Sequence, residues 1–313
     1  MRKIRRSSAT ESGDWLLAFG AGLRSADLSP RTVTGYLQDL EAFVRWFAAH
    51  RTTEPDLSTI SSMDLIVYRQ HLIAGERRKP ATVNRCIQAL RRFCRWAHET
   101  GRIASDPGRE VRTVRIAVRR QPLGLAEREC HSMFRAAGQS GHGLARRNLA
   151  LVHLMIQAGL RVSEAASLVF SDLTLNERSG SVLIRQGKGR KERTVPLNAS
   201  ARRHLRAYIE SRGKLGPLDR VFESKRGRPV SVRTIQSQIS ELGRRAGIKR
   251  IRVSPHTLRH TFALGYLRQN PGKLVDLANL LGHESLDTTA IYTQPSADEL
   301  AEDLERSHLN VNL

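Results

Sequence analysis

Cysteine is scarce in this chain of 313 residues: Cys86, Cys94 and Cys130 are the only three, and no two of them form a C-x-x-C pair. An odd count without such a pair gives no disulfide framework, so a reducing cytosol is the expected setting. Long apolar runs are missing as well. No stretch approaches the roughly 20 apolar residues of a membrane span, and the basic start, Met1 to Arg6, leads into Ser, Thr and Glu in place of an apolar signal core. A soluble cytoplasmic protein with no membrane partner is expected. The segment G-K-G-R-K at 187–191 lacks the G-x-x-x-x-G-K-[ST] pattern of a nucleotide phosphate loop. His256 and His260 have an H-x-x-x-H spacing that zinc tolerates, but the Glu of H-E-x-x-H is absent and Arg259 between them repels a cation. Neither metal nor nucleotide nor any other cofactor is expected. Internal repeats and low-complexity segments are absent too.

Acidic residues are in deficit, with 30 Asp and Glu against 52 Lys and Arg and a formal net charge of +22. The excess is spread out: +7 up to Arg112, +3 from Thr113 to Pro122 and +12 beyond. A basic tail would concentrate it, whereas this distribution fits a protein that wraps a polyanion. The length allows two cores.

The chain reads as mainly α with a small antiparallel β-sheet. After a loose arm over residues 1–10, helical spacing of apolar residues predicts helices from Asp14 to about Arg24, from Ser29-Pro30, from Ser62, and from Lys79-Pro80 to Gly101. Four helices with short connections make a small domain over 1–112. Arg31, Arg85 and Arg92 lie on its polar faces as candidate phosphate contacts. The segment 113–122, T-V-R-I-A-V-R-R-Q-P, loses helical periodicity and reads as an extended basic linker, with Arg119 and Arg120 placed to lie along DNA. The second domain, 123–313, is mixed α+β. It opens with helices at Leu125–Ala137 and Arg146–Ala158, continues with strands near 173–175, 181–185 and 192–197, and returns to helices at Ala199–Ser211 and Val232–Ala246. A tight glycine turn around Lys188 joins the last two strands. Arg190, Lys191 and Arg233 are further DNA-contact candidates.

The stretch from Val253 to Gln294 organises the rest. Ser254 caps a helix whose first turn holds Pro255, so His256, Arg259 and His260 follow at i, i+3 and i+4 on one face. A short helix, Leu274 to Leu281, stops at Gly282 and delivers His283, and Tyr292 comes nine residues later. Two imidazoles, a guanidinium and a phenol on adjacent helical pieces can surround one phosphate: the arginine donates, the histidines donate or shuttle a proton, and the phenol is a nucleophile. Taken singly, a histidine near an apolar helix is an ordinary hydrogen-bonded structural residue and a tyrosine an ordinary packing residue. It is their combination that argues for a site.

The set H-x-x-R-H, L-L-G-H and a tyrosine nine residues on resembles the tyrosine recombinases, the phage integrase and Xer family. The likeness extends to A-G-L-R-V-S-E-A around Arg161 and, through S-P-R-T-V and A-T-V-N-R, to the helical domain. It implies an N-terminal, SAM-like core-binding domain closing over duplex DNA opposite a C-terminal catalytic domain. It implies Arg161, Lys188, His256, Arg259, His283 and Tyr292 as active-site residues, with Tyr292 the nucleophile of a 3′-phosphotyrosyl intermediate and Lys188, in the β-hairpin, the general acid. His256 is expected to help take the phenol proton, and His260 to be structural support. It also implies an inverted-repeat core site, a tetramer on DNA, and a tail helix after Pro295 that docks into a neighbouring protomer. An accessory recombinase or DNA-bending protein is compatible with this, and the task could be integration and excision, transposition or replicon-dimer resolution. Three rivals stay open: a type IB topoisomerase with a similar constellation, a metal-dependent hydrolase using His256, His260 and His283, and a non-catalytic DNA-binding protein of the same fold.

Overall fold

Apolar residues that recur every three or four positions fold as helices through most of the chain, and the alternating ones between 173 and 197 fold as a three-stranded sheet. The computed structural model describes residues 8–26, 28–51, 56–115, 122–141, 143–185, 192–283, 285–293, 301 and 304–305. Two compact units emerge, Met1–Val118 and Arg119–Leu313, and the division falls within the segment 113–122.

The first unit contains α1 (Ser8–Ser25), α2 (Pro30–Arg51), α3 (Ser62–Gln70), which runs on into a π-helical turn at His71–Gly75, and α4 (Pro80–Glu99). Helix α1 begins six residues before the expected Asp14, so Ser8–Thr10 are helical and not part of an arm. Apolar periodicity marks only the apolar stripe of a helix, and the residues Ser8 to Gly13, S-A-T-E-S-G, carry almost none of it. The start of α3 is fixed by a reciprocal cap: Ser61 Oγ accepts from Asp64 N, and Asp64 Oδ2 accepts from Ser61 N at 2.9 Å. Such a cap stabilises a helix by about 1 kcal/mol. Trp15, Phe19, Leu40, Phe43, Leu65, Tyr68, Leu90 and Phe93 fill the centre, with Phe19 edge-on to Phe93 at 5.2 Å between centroids. Each large side chain taken out of water contributes roughly 1.5–3 kcal/mol. Asp39 is buried among them and is held by Arg85 Nη1 at 2.5 Å and Cys86 Sγ at 3.3 Å. Burial raises its carboxyl above the ordinary range, and bonds from Cys86 and Arg85 offset that in part.

The second unit is built on α6 (Ala145–Gln157), whose residues from Leu151 to Ile156 are buried on every side. Helices α5 (Glu127–Gly138), α8 (Ala199–Arg212), α9 (Val232–Arg245) and α10 (Pro255–Gln269) belong to the same unit, and α5, α8 and α10 pack directly on α6. The polar side chains buried on α6 are engaged. Arg147 donates to Glu223 O at 2.8 Å and to Asn148 Oδ1. His153 lies flat between Phe134 and His204, with centroids 4.2 and 4.3 Å away, and its Nδ1 meets Gln157 Oε1 at 2.9 Å. Strands β1 (Leu173–Leu175), β2 (Gly180–Ile184) and β3 (Arg193–Pro196) are antiparallel in the order β1-β2-β3, with Val182 opposite both Leu173 and Val195. The side-chain period of two turns Val182, Ile184 and Val195 into the core. Helix α7 (Val162–Ser167) was not expected, because six residues are too few to show a helical period. Helices α11 (Leu274–Leu281) and α12 (Asp287–Ala290) complete the unit. The helix expected after Pro295 lies almost wholly outside the described residues. Among the described residues, no helix is long and apolar enough to cross a membrane.

Candidate active site

Three chain reversals bring the site together. At the first, α6 ends and Gly159 turns the chain at φ +64°, where a Cβ would lie 2.4 Å from Phe262 Cδ1, so only glycine fits. Two residues on, Arg161 caps α7 with its backbone N–H donating to Glu164 Oε2 at 2.8 Å. At the second, α10 starts at Ser254, whose Oγ accepts from Thr257 N, and Pro255 fits the first turn. At the third, α11 ends on Gly282 in the left-handed region at φ +62°, as the sequence predicts.

The two arginines converge on the last of these reversals. Arg161 donates from Nη2 to Gly282 O at 2.9 Å and from Nη1 to Glu164 Oε1 at 2.8 Å. Arg259, only 4% exposed, donates from Nη1 to Gly159 O and from Nη2 to Leu281 O at 2.6 Å. The same Nη2 lies 3.2 Å from His283 Nε2. A guanidinium has no acceptor, so Nε2 must present its lone pair, and the proton of His283 sits on Nδ1, which donates to Thr289 Oγ1 at 2.8 Å. Burial first, then the charges of Arg259, Arg161 and Arg193, push His283 down to about 4, so the ring is neutral at neutral pH. Burial and the neighbouring Arg161 pull Arg259 to about 9, still a cation at neutral pH.

Glu164 anchors this arrangement. Besides Arg161 it accepts both forks of Arg193, each at 2.9 Å, while Arg193 Nε donates to Leu280 O at 3.0 Å. Burial alone would raise the Glu164 carboxyl, but the bonds and charge of Arg193, helped by Arg161, hold it below the ordinary glutamate range. The carboxylate thus ties β3, α7 and the end of α11 into one network. Such forked pairs fix orientation as well as charge.

Tyr292 follows α12 and is 5% exposed, packed with Ala263, Leu277 and Leu281. Its hydroxyl lies 2.7 Å from His260 Nδ1. Burial raises its phenol, and the charges of Arg259 and Arg161 work the other way. His256 stacks on His260 with centroids 5.8 Å apart and ring planes within 15°. The hydroxyl therefore meets the residue read from sequence as support, while His256 sits one ring further along. Four residues of helix rise about 6 Å, and Tyr292 reaches the second turn of α10 and not the first. Burial, then Arg259 and Arg161, lowers the His256 imidazole below its ordinary value.

Of the residues expected to act, Arg161, Arg259 and His283 share one bonded network, and His256 and Tyr292 are linked to that network through α10. Lys188, Arg190, Lys191, Arg119 and Arg120 lie outside the described residues. Arg31, Arg92 and Arg233 are exposed, while Arg85 is half-exposed and committed to Asp39. Sequence reasoning missed Arg193 and Thr289. A signal for Arg193 exists: it is two residues from the inward-facing Val195, so it shares that strand face, and an inward arginine needs a buried carboxylate. Among the described residues, no three His, Cys, Asp or Glu side chains are grouped to hold a metal ion.

Comparison with known proteins gives the family. The profile of the phage integrase family matches residues 125–299, and that of the phage integrase N-terminal SAM-like domain matches residues 18–101. The chain belongs to the phage integrase family and is, by class, a tyrosine-type site-specific recombinase. Tyrosine recombinase XerC of Xanthomonas campestris pv. campestris is 32% identical over 283 residues, spanning 90% of this chain and 84% of its own. Tyrosine recombinase XerC of Pelobacter propionicus is 32% identical over 288 residues, 90% of each chain. Among solved structures, the XerH site-specific recombinase bound to its difH substrate in a pre-cleavage complex superposes with a TM-score of 0.70 at 24% identity, over 93% of this chain and 83% of that one. At that identity the likeness speaks for the fold.

Proposed function

We propose that this protein cuts and rejoins duplex DNA at an inverted-repeat core site through a covalent bond between Tyr292 and a 3′-phosphate. The observation that carries the reading is the bonded network of Arg161, Arg259 and His283 around the end of α11, with the Tyr292 hydroxyl held against the same helix that supplies Arg259. Forked cations bind the non-bridging oxygens of a phosphodiester and stabilise the charge that develops on them. The phenolate oxygen of Tyr292 attacks phosphorus in line as the bond to the 5′-oxygen breaks, and Lys188 supplies the proton to that oxygen. The phenol proton leaves towards the imidazoles on α10, and His283 hydrogen-bonds the phosphate once its Nε2 is released from Arg259 and takes up a proton, since a phosphate oxygen only accepts. Attack by the 5′-hydroxyl of a partner strand reverses the step, so the phosphate bond energy is conserved and no nucleotide cofactor is required. A phenol ionises near pH 10 in water, which makes a nearby acceptor and nearby cations necessary. Strand exchange calls for four protomers on two sites, and the segment after Pro295 is the proposed link between them.

The test is a nicked suicide duplex built on a core sequence recovered from a randomised pool by binding to the full chain, incubated in EDTA with wild type and with Tyr292→Phe. A covalent protein–DNA band is expected for wild type and absent for Tyr292→Phe. A band that EDTA abolishes would return the metal-hydrolase reading, and no band on a bound site would favour the non-catalytic one.

A further inference from the structure

We propose that His260 is a catalytic residue, the immediate acceptor of the Tyr292 proton, and that His256 is the ring stacked behind it. The proposal rests on the reading of Tyr292 as nucleophile and assigns the partner that activates it. Among the described residues, His260 Nδ1, at 2.7 Å, is the one side-chain atom bonded to the Tyr292 hydroxyl. That distance lies within the reach of direct proton transfer, about 2.6–3.2 Å. His256 offers no such bond and meets His260 face to face at 5.8 Å.

The electrostatic surroundings agree with an acceptor. Among the described residues, the charged and titratable groups that face His260 are His256 and Arg259 on its own helix and Tyr292 from the segment after α12. Burial first, then His256 and Arg259, push its imidazole down to about 4, so the ring is neutral at neutral pH. With its proton on Nε2, a neutral ring has a lone pair on Nδ1 that accepts the phenol O–H. A base held that low is weak, and the weakness has a use. Arg259 lowers it, and a phosphodiester bound between Arg161 and Arg259 cancels part of that positive field and raises the imidazole again. The acceptor therefore gains strength when DNA occupies the site, and the tyrosine stays a protonated phenol until then. In the step itself the O–H bond breaks, its proton goes to Nδ1, its electron pair stays on the phenol oxygen, and that oxygen attacks phosphorus. On religation the imidazolium returns the proton to the departing phenolate.

The experiment uses the full chain and a nicked duplex from the same enriched pool, with sulfur in place of the bridging 5′-oxygen so that the leaving group needs no proton. The rate of covalent complex formation at saturating DNA is followed across pH for wild type, His260→Ala, His260→Gln, His256→Gln and Tyr292→Phe, with duplex affinity measured in parallel. His260→Ala is expected to slow the covalent step about 100-fold or more at neutral pH. Its affinity for duplex stays at the wild-type level, its defect shrinks as pH rises towards the phenol's own ionisation, and added imidazole restores the rate. His260→Gln keeps the size and an acceptor oxygen but takes no proton, so it guards against a fold defect in the alanine variant and should be as slow without imidazole. A Tyr292-dependent complex formed by both His260 variants at the wild-type rate overturns this proposal alone. So does a pH-dependent, imidazole-rescued defect that appears in His256→Gln and not at His260. A complex that survives Tyr292→Phe overturns the reading of the nucleophile and this proposal together.

Discussion

At the scale of single residues, the carboxylate of Glu164 has more depending on it than any side chain that would touch DNA. It is 4% exposed and satisfied by two arginines, and Arg193 contributes two of its four bonds. Removing one partner of a buried ion pair strands the other, so Arg193→Ala should lower unfolding stability by about 3 kcal/mol or more and slow cleavage by releasing Leu280 O and Arg161. Urea titration of the variant is the check, and a midpoint equal to wild type would refute the structural role. The sign with pH follows from the depressed Glu164 carboxyl: its contribution is whole above the ordinary glutamate value of 4.5 and is lost as pH falls through the lower folded value. Much of the site was legible in the sequence, because His256, Arg259, His283 and Tyr292 are placed by local helix phase and a glycine stop. Arg193 and Thr289 were not, since each bonds a partner fixed by the tertiary fold. Nor was the meeting of Tyr292 with His260, because helical phase puts two histidines on one face and leaves open which turn a distant hydroxyl reaches.

At the scale of elements, α6 is the member on which the second unit depends, and His153 is its pH-sensitive point. Pressed between Phe134 and His204, the ring is pushed down to about 4 by burial, with the charges of His204 and Arg203 adding to the effect. An unfolded histidine binds its proton near 6.5, so the sandwich is fully stabilising above that value and loses stability as pH falls from 6.5 to about 4. The total is of the order of 3 kcal/mol. His153→Phe should therefore flatten part of the acid destabilisation, read as the shift in urea midpoint between about pH 7 and about pH 4. An equally steep dependence in the variant would show that the loss arises elsewhere. The periodic helices were readable because amphipathic spacing reports burial directly. Helix α7 and the early start of α1 were not: the first is shorter than two turns, and the added turns of the second precede the apolar stripe.

At the scale of the whole molecule, the net charge of +22 is shared by both units, and Arg31 and Arg92 in the first and Arg233 in the second are exposed. Binding to duplex DNA should weaken steeply with salt, each neutralised phosphate adding about 0.9 to the log–log slope. Arg92→Glu and Arg233→Glu should each flatten that slope by about one phosphate without abolishing binding, as measured by fluorescence anisotropy over a KCl series. A slope near zero in wild type would refute a backbone-led mode of binding. The two-part organisation was legible because periodicity fails at 113–122 between two separately patterned apolar sets. Arg161 and Arg259 satisfy the carbonyls of Gly159, Leu281 and Gly282 at the ends of two helices, so a lineage that ceased to cut DNA could not discard them without loosening its own architecture. The Tyr292 hydroxyl is under no such obligation, since a phenylalanine would keep the packing with Ala263, Leu277 and Leu281. With Tyr292 as the proposed nucleophile, descent from cutter to mere binder would pass most cheaply through the loss of that one oxygen, which would make a tyrosine at this position a better mark of a working enzyme than the arginines that surround it.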